Sequence, residues 1–375
     1  MELGYEIPAR VGQTLDEICT PALIVDLDAF ERNVAKMKAY CAHNNIRLRA
    51  HAKTHKSSDI SRYLIEHGGA CGICCQKLSE AEALFRAGIT DIFLTNIVVD
   101  PVKIDRLVEL TKAARIIVCV DDMSNAKALA AAAARAKTVL ECVVEIEVGH
   151  MICGIPVGSE MVGLAQFIDA APSLCFSGVQ AYQGLAQHTY EYKGRKALLD
   201  AAIYKTREAV ALLKAEGLNC DIIGGGGTGS HSFETASGVY NELQCGSYIF
   251  MDADYFRVQT EDGSLISNYE PSLFLCTTVI SSAKPGRAIC DAGIKAQSVD
   301  SGLPKVYTPA GVTYVKCIDE HGVLTDPDNN LRPNDRVLLI PGHCDPTCNQ
   351  HDWLVGIRDG LVECIWPITA RGKFF

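Results

Sequence analysis

The sequence predicts a (β/α)8 barrel followed by an all-β domain. Through the first two-thirds of the chain, eight short apolar segments alternate with helical segments of about ten to twenty residues. After about residue 260 the pattern changes to short strands separated by turn residues, without long amphipathic helices. A doubly wound sheet is the alternative for the first part, but eight strands within about 230 residues favour the closed barrel.

The domain boundaries follow from the placement of the strands. The eight predicted barrel strands are the segments 47–53, 71–75, 91–96, 115–122, 143–148, 177–184, 221–227 and 242–250. An earlier segment, PALIVDL at 21–27, would be a ninth strand and therefore belongs elsewhere. We expect residues 1–27 to join the β domain, residues 28–260 to form the barrel and residues 261–375 to form the β domain.

Composition and charge argue against several classes of partner. The 375 residues include 35 lysines and arginines against 45 aspartates and glutamates, and no basic cluster that could bind nucleic acid or an anionic membrane. No apolar segment reaches the roughly 18 residues of a membrane span, and the first residues lack the pattern of a signal peptide. We therefore expect a cytoplasmic protein that acts on a small molecule.

The segment HAKTHKS, residues 51–57, contains two candidate nucleophiles, Lys53 and Lys56. Side chains alternate along a strand, so Arg49, His51 and Lys53 share one face of the first barrel strand. Because the opposite, apolar face should meet the helices, Lys53 should point into the barrel at its carboxyl end, where barrel enzymes place their active sites. A partly desolvated lysine there has a lowered pKa and can form a Schiff base with a carbonyl. Two solvated lysines are the alternative.

The stretch GGGGTGS, residues 224–230, follows the seventh predicted strand. It fits the pattern G-x-G-x-x-G, but its late position and the poor helix after it argue against a dinucleotide site. The backbone N–H groups, including those of Gly226 and Gly227, could instead hold a phosphate together with the hydroxyls of Thr228 and Ser230. A tight turn without a ligand is the alternative.

A histidine and an aspartate two residues apart, His343 and Asp345, lie in the predicted β domain within PGHCDPTCNQHDW. In an extended segment both side chains point to the same side, while Cys344 points away. An imidazole with a carboxylate suits Mg²⁺ or Mn²⁺, and Zn²⁺ would be favoured if Cys344 were the ligand. Two protein ligands leave the remaining positions to water or substrate.

These features together resemble the fold-type III pyridoxal 5′-phosphate (PLP) enzymes, whose barrel is of the alanine racemase type. The most similar branch contains D-threonine aldolase, D-serine dehydratase and 3-hydroxy-D-aspartate aldolase, and the chain resembles the last of these most. The shared stretches extend from about residue 4 to residue 373 and include TPALIVDLDAFERN, HAKTHKS, GICCQKLSEAEA, VQAYQG, GGGGTGS, YNELQCGSYIFMDADY and GHCDPTCNQHDW.

The resemblance implies a role for individual residues. Lys53, the first lysine of HAKTHK, matches the lysine that binds PLP as a Schiff base. The dehydratase branch has a cysteine in place of Asp345 and uses zinc, so the pair His343 and Asp345 favours an aldolase with Mg²⁺ or Mn²⁺ rather than Zn²⁺. Relatives build active sites across a subunit interface, so a homodimer is expected. The other positions that match cofactor contacts are Gln76, Tyr182, Thr228, Gly246 and Ser247.

One position departs from the family pattern. The family usually has an arginine close to the cofactor ring, two residues before the glycine of an R-x-G motif. This chain has Ile152 at that position, in the stretch EVGHMICGI. A cationic donor near the cofactor is therefore missing, which leaves racemisation or another altered activity open.

The reaction that the resemblance implies is cleavage of a D-configured β-hydroxy-α-amino acid, of the 3-hydroxy-D-aspartate or D-threonine type, to glycine and glyoxylate or acetaldehyde. His188, just after a predicted strand, is the candidate base for the hydroxyl proton, and Arg371 and Lys295 are candidates to bind a β-carboxylate. A dehydratase that yields a keto acid and ammonia is one rival. A non-catalytic PLP carrier is another, although such carriers are typically a barrel alone.

Overall fold

A computed structural model describes residues 1–375 and contains a closed barrel of eight parallel strands, as predicted. The strands are β2 (Arg47–His51), β3 (Ala70–Cys75), β4 (Asp91–Ile97), β5 (Arg115–Val120), β6 (Leu140–Glu145), β7 (Leu174–Gln180), β8 (Ile222–Gly225) and β9 (Glu242–Leu243). The helices are α1 (Leu27–His43), which leads into the barrel, and then α2 (Ser58–Glu66), α3 (Leu78–Arg86), α4 (Pro101–Leu110), α5 (Met123–Ala136), α6 (Ser159–Ala170), α7 (Tyr192–Ala215) and α8 (His231–Ser237). None of the helices is long and apolar enough to cross a membrane.

Six of the eight barrel strands end before the predicted segments do, and the first and the last of them shape the site. β2 ends at His51, because the ring nitrogen Nδ1 of His51 accepts a hydrogen bond from the backbone N–H of Lys53 and turns the chain. Lys53 therefore lies in a 3-10 turn, Ala52–Thr54, rather than in the strand. The last strand, β9, covers two residues only, and the chain then enters a second 3-10 turn, Ser247–Ile249.

The rest of the chain is built around a nine-stranded, mostly antiparallel sheet. β1 (Ala22–Asp26), the PALIVDL segment, lies in this sheet, antiparallel to β10 and parallel to β16. Its residues are almost entirely buried, which explains why the segment is apolar on both faces. The other strands are β10 (Leu273–Lys284), β11 (Gly286–Cys290), β12 (Lys305–Thr308), β13 (Thr313–Cys317), β14 (Gly322–Asp326), β15 (Arg336–Ile340), β16 (Trp353–Arg358) and β17 (Leu361–Pro367).

The segment that carries His343 and Asp345 is helical, so the expectation of an extended segment is wrong. Residues Cys344–Cys348 form a short helix, α9, between β15 and β16. Its first turn is held from the barrel side, because the backbone N–H of Cys344 donates to the buried carboxylate of Asp252 at 3.0 Å. Cys344 is itself fully buried. Its Sγ lies 3.5 Å from Oδ1 of Asp345, so the turn of α9 does not direct Cys344 away from Asp345 as strand alternation would.

The interior of the barrel is filled in layers. An apolar layer contains Phe93, Ile117 and Val143, all fully buried. Beneath it the guanidinium of Arg49 pairs with the carboxylates of Glu242, at 2.9 Å, and Asp91. Arg49 and Glu242 are each 1% exposed, so these charges close the amino-terminal end of the barrel and leave the carboxyl end open for a site.

Candidate active site

Two adjoining cavities open at the carboxyl ends of the barrel strands. The first, the barrel cavity, has a volume of about 250 Å³ and is lined by barrel residues only, including Gln76, Glu145 and Ile152. The second, the interdomain cavity, has a volume of about 200 Å³ and is also lined by His343 and Asp345 of the β domain. The side chains that line both cavities are His51, Lys53, His150, Tyr182 and Gln244.

Lys53 stands where the two cavities meet. Arg49 lies at the base of the barrel, His51 lies above it and Lys53 lies at the mouth. The three side chains therefore face the barrel interior as predicted, although the strand ends at His51. The Nζ of Lys53 lies 3.5 Å from Oδ2 of Asp345. Burial alone lowers the pKa of Lys53, but the Asp345 carboxylate and the Tyr182 hydroxyl raise it above its usual range. The expectation of a lowered pKa is therefore wrong.

Lys56 has a different environment. It adopts a positive φ of 51° and its ammonium pairs with the carboxylate of Glu80, a side chain that is 4% exposed. Its backbone carbonyl accepts from the N–H of Ala370 at 2.9 Å, and its ammonium lies 5.9 Å from the ring centroid of Phe374. Lys56 therefore ties the C-terminal segment to the barrel and does not line either cavity.

His51 and Gln76 form the floor beneath Lys53. The Nε2 atoms of the two side chains are 3.1 Å apart, and both contact the hydroxyl of Thr95, at 3.2 and 3.0 Å. Burial and the Lys53 ammonium hold the pKa of His51 well below its usual range, so its imidazole is neutral near pH 7. The orientation of Gln76 is thus set by a neutral histidine and a hydroxyl.

The glycine stretch supplies one wall of the interdomain cavity. Gly226 has a φ of +78°, a conformation that L side chains rarely adopt, and it lies below the wall rather than in it. A Cβ at Gly227 would clash with the side-chain amide of Gln187, which is hydrogen-bonded to the Ser230 hydroxyl and to the N–H of Gly229. Thr228 lines the cavity and accepts from the N–H of Tyr248 at 3.0 Å. Ser230 does not line the cavity, contrary to expectation, because its hydroxyl is fully buried and donates to Glu234 at 2.8 Å.

The segment after β9 completes this wall. A Cβ at Gly246 would lie 2.5 Å from the hydroxyl of Thr54 and 2.8 Å from the carbonyl oxygen of His51. The absence of a side chain at Gly246 thus allows the chain to pass directly behind Lys53. Ser247 lines the cavity, and its hydroxyl lies 3.5 Å from that of Thr54.

His343 and Asp345 face Lys53 from the β domain. The Nδ1 of His343 is hydrogen-bonded to the carboxylate of Asp300 at 2.8 Å, which leaves Nε2 for a ligand. Burial lowers the pKa of His343, but Asp345 and Asp300 raise it above its usual value overall. Burial raises the pKa of Asp345, but Lys53 and then His343 hold it below its usual range, so the carboxyl is ionised at neutral pH. No group of three or more candidate ligands is assembled in the structure.

His188 faces the same cavity from the opposite side. It ends the 3-10 turn Gly184–His188, and its ring centroid lies 6.4 Å from that of His343. Its Nδ1 is 2.9 Å from Oδ2 of Asp254, a carboxylate only 2% exposed. The other oxygen of Asp254 accepts from the hydroxyl of Tyr190 at 2.5 Å. A carboxylate fixed in this way orients the imidazole of His188 through Nδ1 and leaves Nε2 without a partner in the protein.

The structure brings most of the predicted site residues together. The interdomain cavity is lined by Lys53, Tyr182, His188, Gly227, Thr228, Gly246, Ser247, His343 and Asp345, and the barrel cavity adds Gln76. Gly226 lies outside both linings. The two residues suggested for a β-carboxylate are also elsewhere: Arg371 pairs with Asp352, and Lys295 is exposed and pairs with Glu320. Ile152 lines the barrel cavity but is 72% exposed.

Sequence reasoning missed the carboxylates that orient the two histidines. Asp254 follows the eighth barrel strand in the stretch MDADY, so its position after a strand end was an available signal. Asp300 comes from a connection of the β domain, and nothing in its local sequence points to His343. His150, which lines both cavities, was also not singled out.

Comparisons with known proteins agree with this geometry. The family described as alanine racemase, N-terminal domain, matches residues 25–254, and the family described as putative serine dehydratase domain matches residues 272–357. A 3-hydroxy-D-aspartate aldolase from Paracoccus denitrificans (strain Pd 1222) is 53% identical over 375 residues, 99% of this chain and 97% of the relative. A D-threonine aldolase from Arthrobacter sp. is 42% identical over 367 residues, 97% of this chain and 96% of the relative. The crystal structure of D-threonine aldolase from Filomicrobium marinum superposes with a TM-score of 0.94 at 42% identity, covering 98% of this chain and 100% of that one.

Proposed function

The chain belongs to the fold-type III PLP-dependent lyases that include 3-hydroxy-D-aspartate aldolase and D-threonine aldolase, and we propose that it cleaves a D-configured β-hydroxy-α-amino acid to glycine and an aldehyde. The substrate is of the 3-hydroxy-D-aspartate or D-threonine type, and the aldehyde is glyoxylate or acetaldehyde. The observation that carries this proposal is the contact between Lys53 and Asp345, which joins the amine of the barrel to the histidine–aspartate pair of the β domain.

The residues around Lys53 fit the cofactor of the family. Gly227 and Gly246 leave backbone surface where a Cβ would clash, and the hydroxyls of Thr228 and Ser247 line the same wall, as a phosphate group requires. Lys53 is the only lysine that lines either cavity, and it is the residue to hold the aldehyde of the cofactor. When bound, PLP supplies an electron sink for the charge that remains after Cα–Cβ cleavage.

The donor set of His343 and Asp345 fits a divalent metal. Asp345 is ionised, and Asp300 holds the imidazole of His343 so that Nε2 is available. One carboxylate oxygen and one imidazole nitrogen suit Mg²⁺ or Mn²⁺, with Zn²⁺ less favoured, and two protein ligands leave room for water and a substrate hydroxyl. A cation held there would lower the pKa of the β-hydroxyl.

His188 is the residue to accept the proton of the β-hydroxyl. Asp254 holds its Nδ1, which fixes the ring orientation and leaves Nε2 to accept a proton from the cavity. His188 and His343 lie on facing walls, with ring centroids 6.4 Å apart. A hydroxyl located between them would contact both the metal pair and the base, so the geometry suits removal of that proton and cleavage of the adjacent Cα–Cβ bond.

The rival reactions share this apparatus but differ in their products. A dehydratase would expel the β-hydroxyl and release a keto acid and ammonia, and a racemase would invert Cα without cleavage. The aldolases that are 53% and 42% identical over nearly the whole chain support aldol cleavage. The β domain with its histidine–aspartate pair supports an enzyme over a PLP carrier. A homodimer and a cytoplasmic location stay predictions.

A product assay tests the proposal. The PLP-loaded protein would be incubated with D-threonine and with both D-diastereomers of 3-hydroxyaspartate, in Mn²⁺ or in EDTA. We expect glycine and the corresponding aldehyde from at least one substrate, and loss of turnover in EDTA. Release of ammonia and a keto acid would establish the dehydratase instead, and undiminished turnover in EDTA would remove the metal from the reaction.

A further inference from the structure

We propose that His150 is the residue that recognises the β-carboxylate of 3-hydroxyaspartate and so sets the preference between this substrate and D-threonine. This inference rests on the proposed function, because it names the residue that binds the carboxylate on Cβ, one of the two carbons of the cleaved bond. It replaces Arg371 and Lys295, which the structure places in ion pairs away from both cavities.

Among the cationic and histidine side chains of the two cavities, His150 is the one that remains as a donor for a second carboxylate. No arginine lines either cavity, and the single lysine is Lys53, which the cofactor engages. Among the other histidines, His51 is bonded to Gln76 and Thr95, His188 to Asp254, and His343 to Asp300. A ring with no partner in the protein is the one available to a ligand.

His150 has no such partner. Its Nδ1 is buried and makes no hydrogen bond, and no other hydrogen bond of its ring occurs in the structure. The Nε2 of the same ring is also unpartnered but is not buried, so it is the nitrogen that can donate a hydrogen bond to a ligand in the cavity. Burial and the Lys53 ammonium lower the pKa of His150, so the free ring is neutral near pH 7 and offers one N–H donor.

The position of His150 favours the β-carboxylate over the α-carboxylate. The imidazole packs on Gly184, the first residue of the 3-10 turn that ends at His188, and a Cβ at Gly184 would clash with the ring. His150 and His188 thus belong to one wall of the interdomain cavity, opposite His343. Because His188 and the metal pair hold the β-hydroxyl, a second substituent on the same carbon lies next to this wall.

Two variants with two substrates test the assignment. His150→Phe keeps a planar ring but has no N–H, whereas His150→Gln keeps a donor. We expect His150→Phe to lower kcat/KM for 3-hydroxy-D-aspartate by about 10- to 100-fold, mainly through KM, and to lower that for D-threonine by less than about threefold. His150→Gln should recover part of the loss on 3-hydroxy-D-aspartate. Circular dichroism and the visible absorption of the bound cofactor check that each variant is folded and loaded.

Equal losses on both substrates would overturn the assignment, because they would mean that His150 contacts a group that both substrates share. No loss of kcat/KM for 3-hydroxy-D-aspartate in His150→Phe would also overturn it.

Ligands that cannot be cleaved separate this result from the proposed function: D-aspartate has the β-carboxylate, and D-2-aminobutyrate replaces it with a methyl group. Binding would be followed by visible absorption. We expect His150→Phe to raise the Kd of D-aspartate by about tenfold and the Kd of D-2-aminobutyrate by less than about twofold. Unchanged binding of D-aspartate would contradict the contact even if the wild-type protein cleaves neither substrate.

Discussion

The Nζ of Lys53 lies 3.5 Å from Oδ2 of Asp345, although the two residues are separated by almost 300 positions and belong to different domains. Lys53 rises from the first barrel strand, and Asp345 lies in the helix α9 of the β domain. Neither domain alone would contain both the amine and the metal-binding pair. The active site is therefore a property of the packing of the two domains.

The first prediction concerns Asp300, which contacts His343 but does not line either cavity. Asp300→Asn removes the charge that orients the imidazole and should raise the Mn²⁺ concentration for half-maximal activity by about 10- to 100-fold. The kcat at saturating Mn²⁺ should stay within a few fold of the wild type. Activity would be measured across a metal titration after treatment with a chelator. An unchanged titration would show that Asp300 does not support the metal site.

The second prediction concerns Asp254, the partner of His188. Asp254→Asn presents an amide to Nδ1 and favours the wrong ring tautomer, so we expect kcat to fall by about 100-fold or more with a small change in KM. Tyr190→Phe is the matched control, since it removes the hydroxyl that donates to Asp254 but keeps the carboxylate, and kcat should fall by less than about tenfold. Steady-state kinetics on the preferred substrate would distinguish the two. Equal effects of both variants would contradict the orienting role of the carboxylate.

The third prediction concerns Glu234, a fully buried carboxyl behind the glycine wall. Burial raises the pKa of Glu234 to about 7 from 4.5, so the folded state holds this proton more tightly than the unfolded chain. The unfolding free energy should therefore fall as pH rises from about 4.5 to about 7 and level off above that. Glu234→Gln should remove this component and make the variant relatively more stable above pH 7, by on the order of 3 kcal/mol.

Urea unfolding of the wild type and Glu234→Gln at pH 5, 6, 7 and 8 measures this difference. Glu208→Gln, on the exposed side of α7, is the control and should follow the wild type at every pH. The difference in unfolding free energy between Glu234→Gln and the wild type should grow as pH rises. A constant difference would show that Glu234 does not titrate in this range.

The fourth prediction concerns the charges at the base of the barrel. Arg49→Met leaves Glu242 with the half-exposed Arg47 at 3.2 Å and Asp91 with the half-exposed Arg115 at 3.3 Å. We expect the unfolding free energy to fall by about 3 kcal/mol, because the buried Glu242 loses its buried counter-ion. Arg135→Met removes an exposed ion pair and should change it by less than about 1 kcal/mol. Comparable losses in the two variants would contradict this difference in burial.

The sequence predicted the architecture because its periodic signals are local. Eight alternating segments located the barrel strands, and the surplus of one strand correctly placed PALIVDL outside the barrel. The alternation along β2 also placed Lys53 at the barrel mouth, even though the strand stops at His51. The prediction of an extended segment at His343 and Asp345 was wrong, because the backbone of α9 is hydrogen-bonded to Asp252, which is distant in the sequence.

Contacts between distant segments account for the rest of what was missed. The pairs Asp300 with His343 and Asp254 with His188 join separate connections, and no short motif encodes such a pair. The pKa of Lys53 was predicted in the wrong direction for the same reason, since burial was visible in the sequence but the approach of Asp345 was not. Site electrostatics depend on tertiary distances, which strand and helix periodicity does not contain.

The identity of the cofactor-binding lysine is the central claim, and one comparison tests it most directly. Lys53→Ala and Lys56→Ala would each be purified with excess PLP, dialysed, and measured for visible absorption and for glycine release. We predict that Lys53→Ala loses the absorption of lysine-bound cofactor and all turnover. Lys56→Ala, which removes the partner of Glu80, should be less stable but should keep both signals. Retention of the absorption and turnover in Lys53→Ala, or their loss in a folded Lys56→Ala alone, would contradict the account.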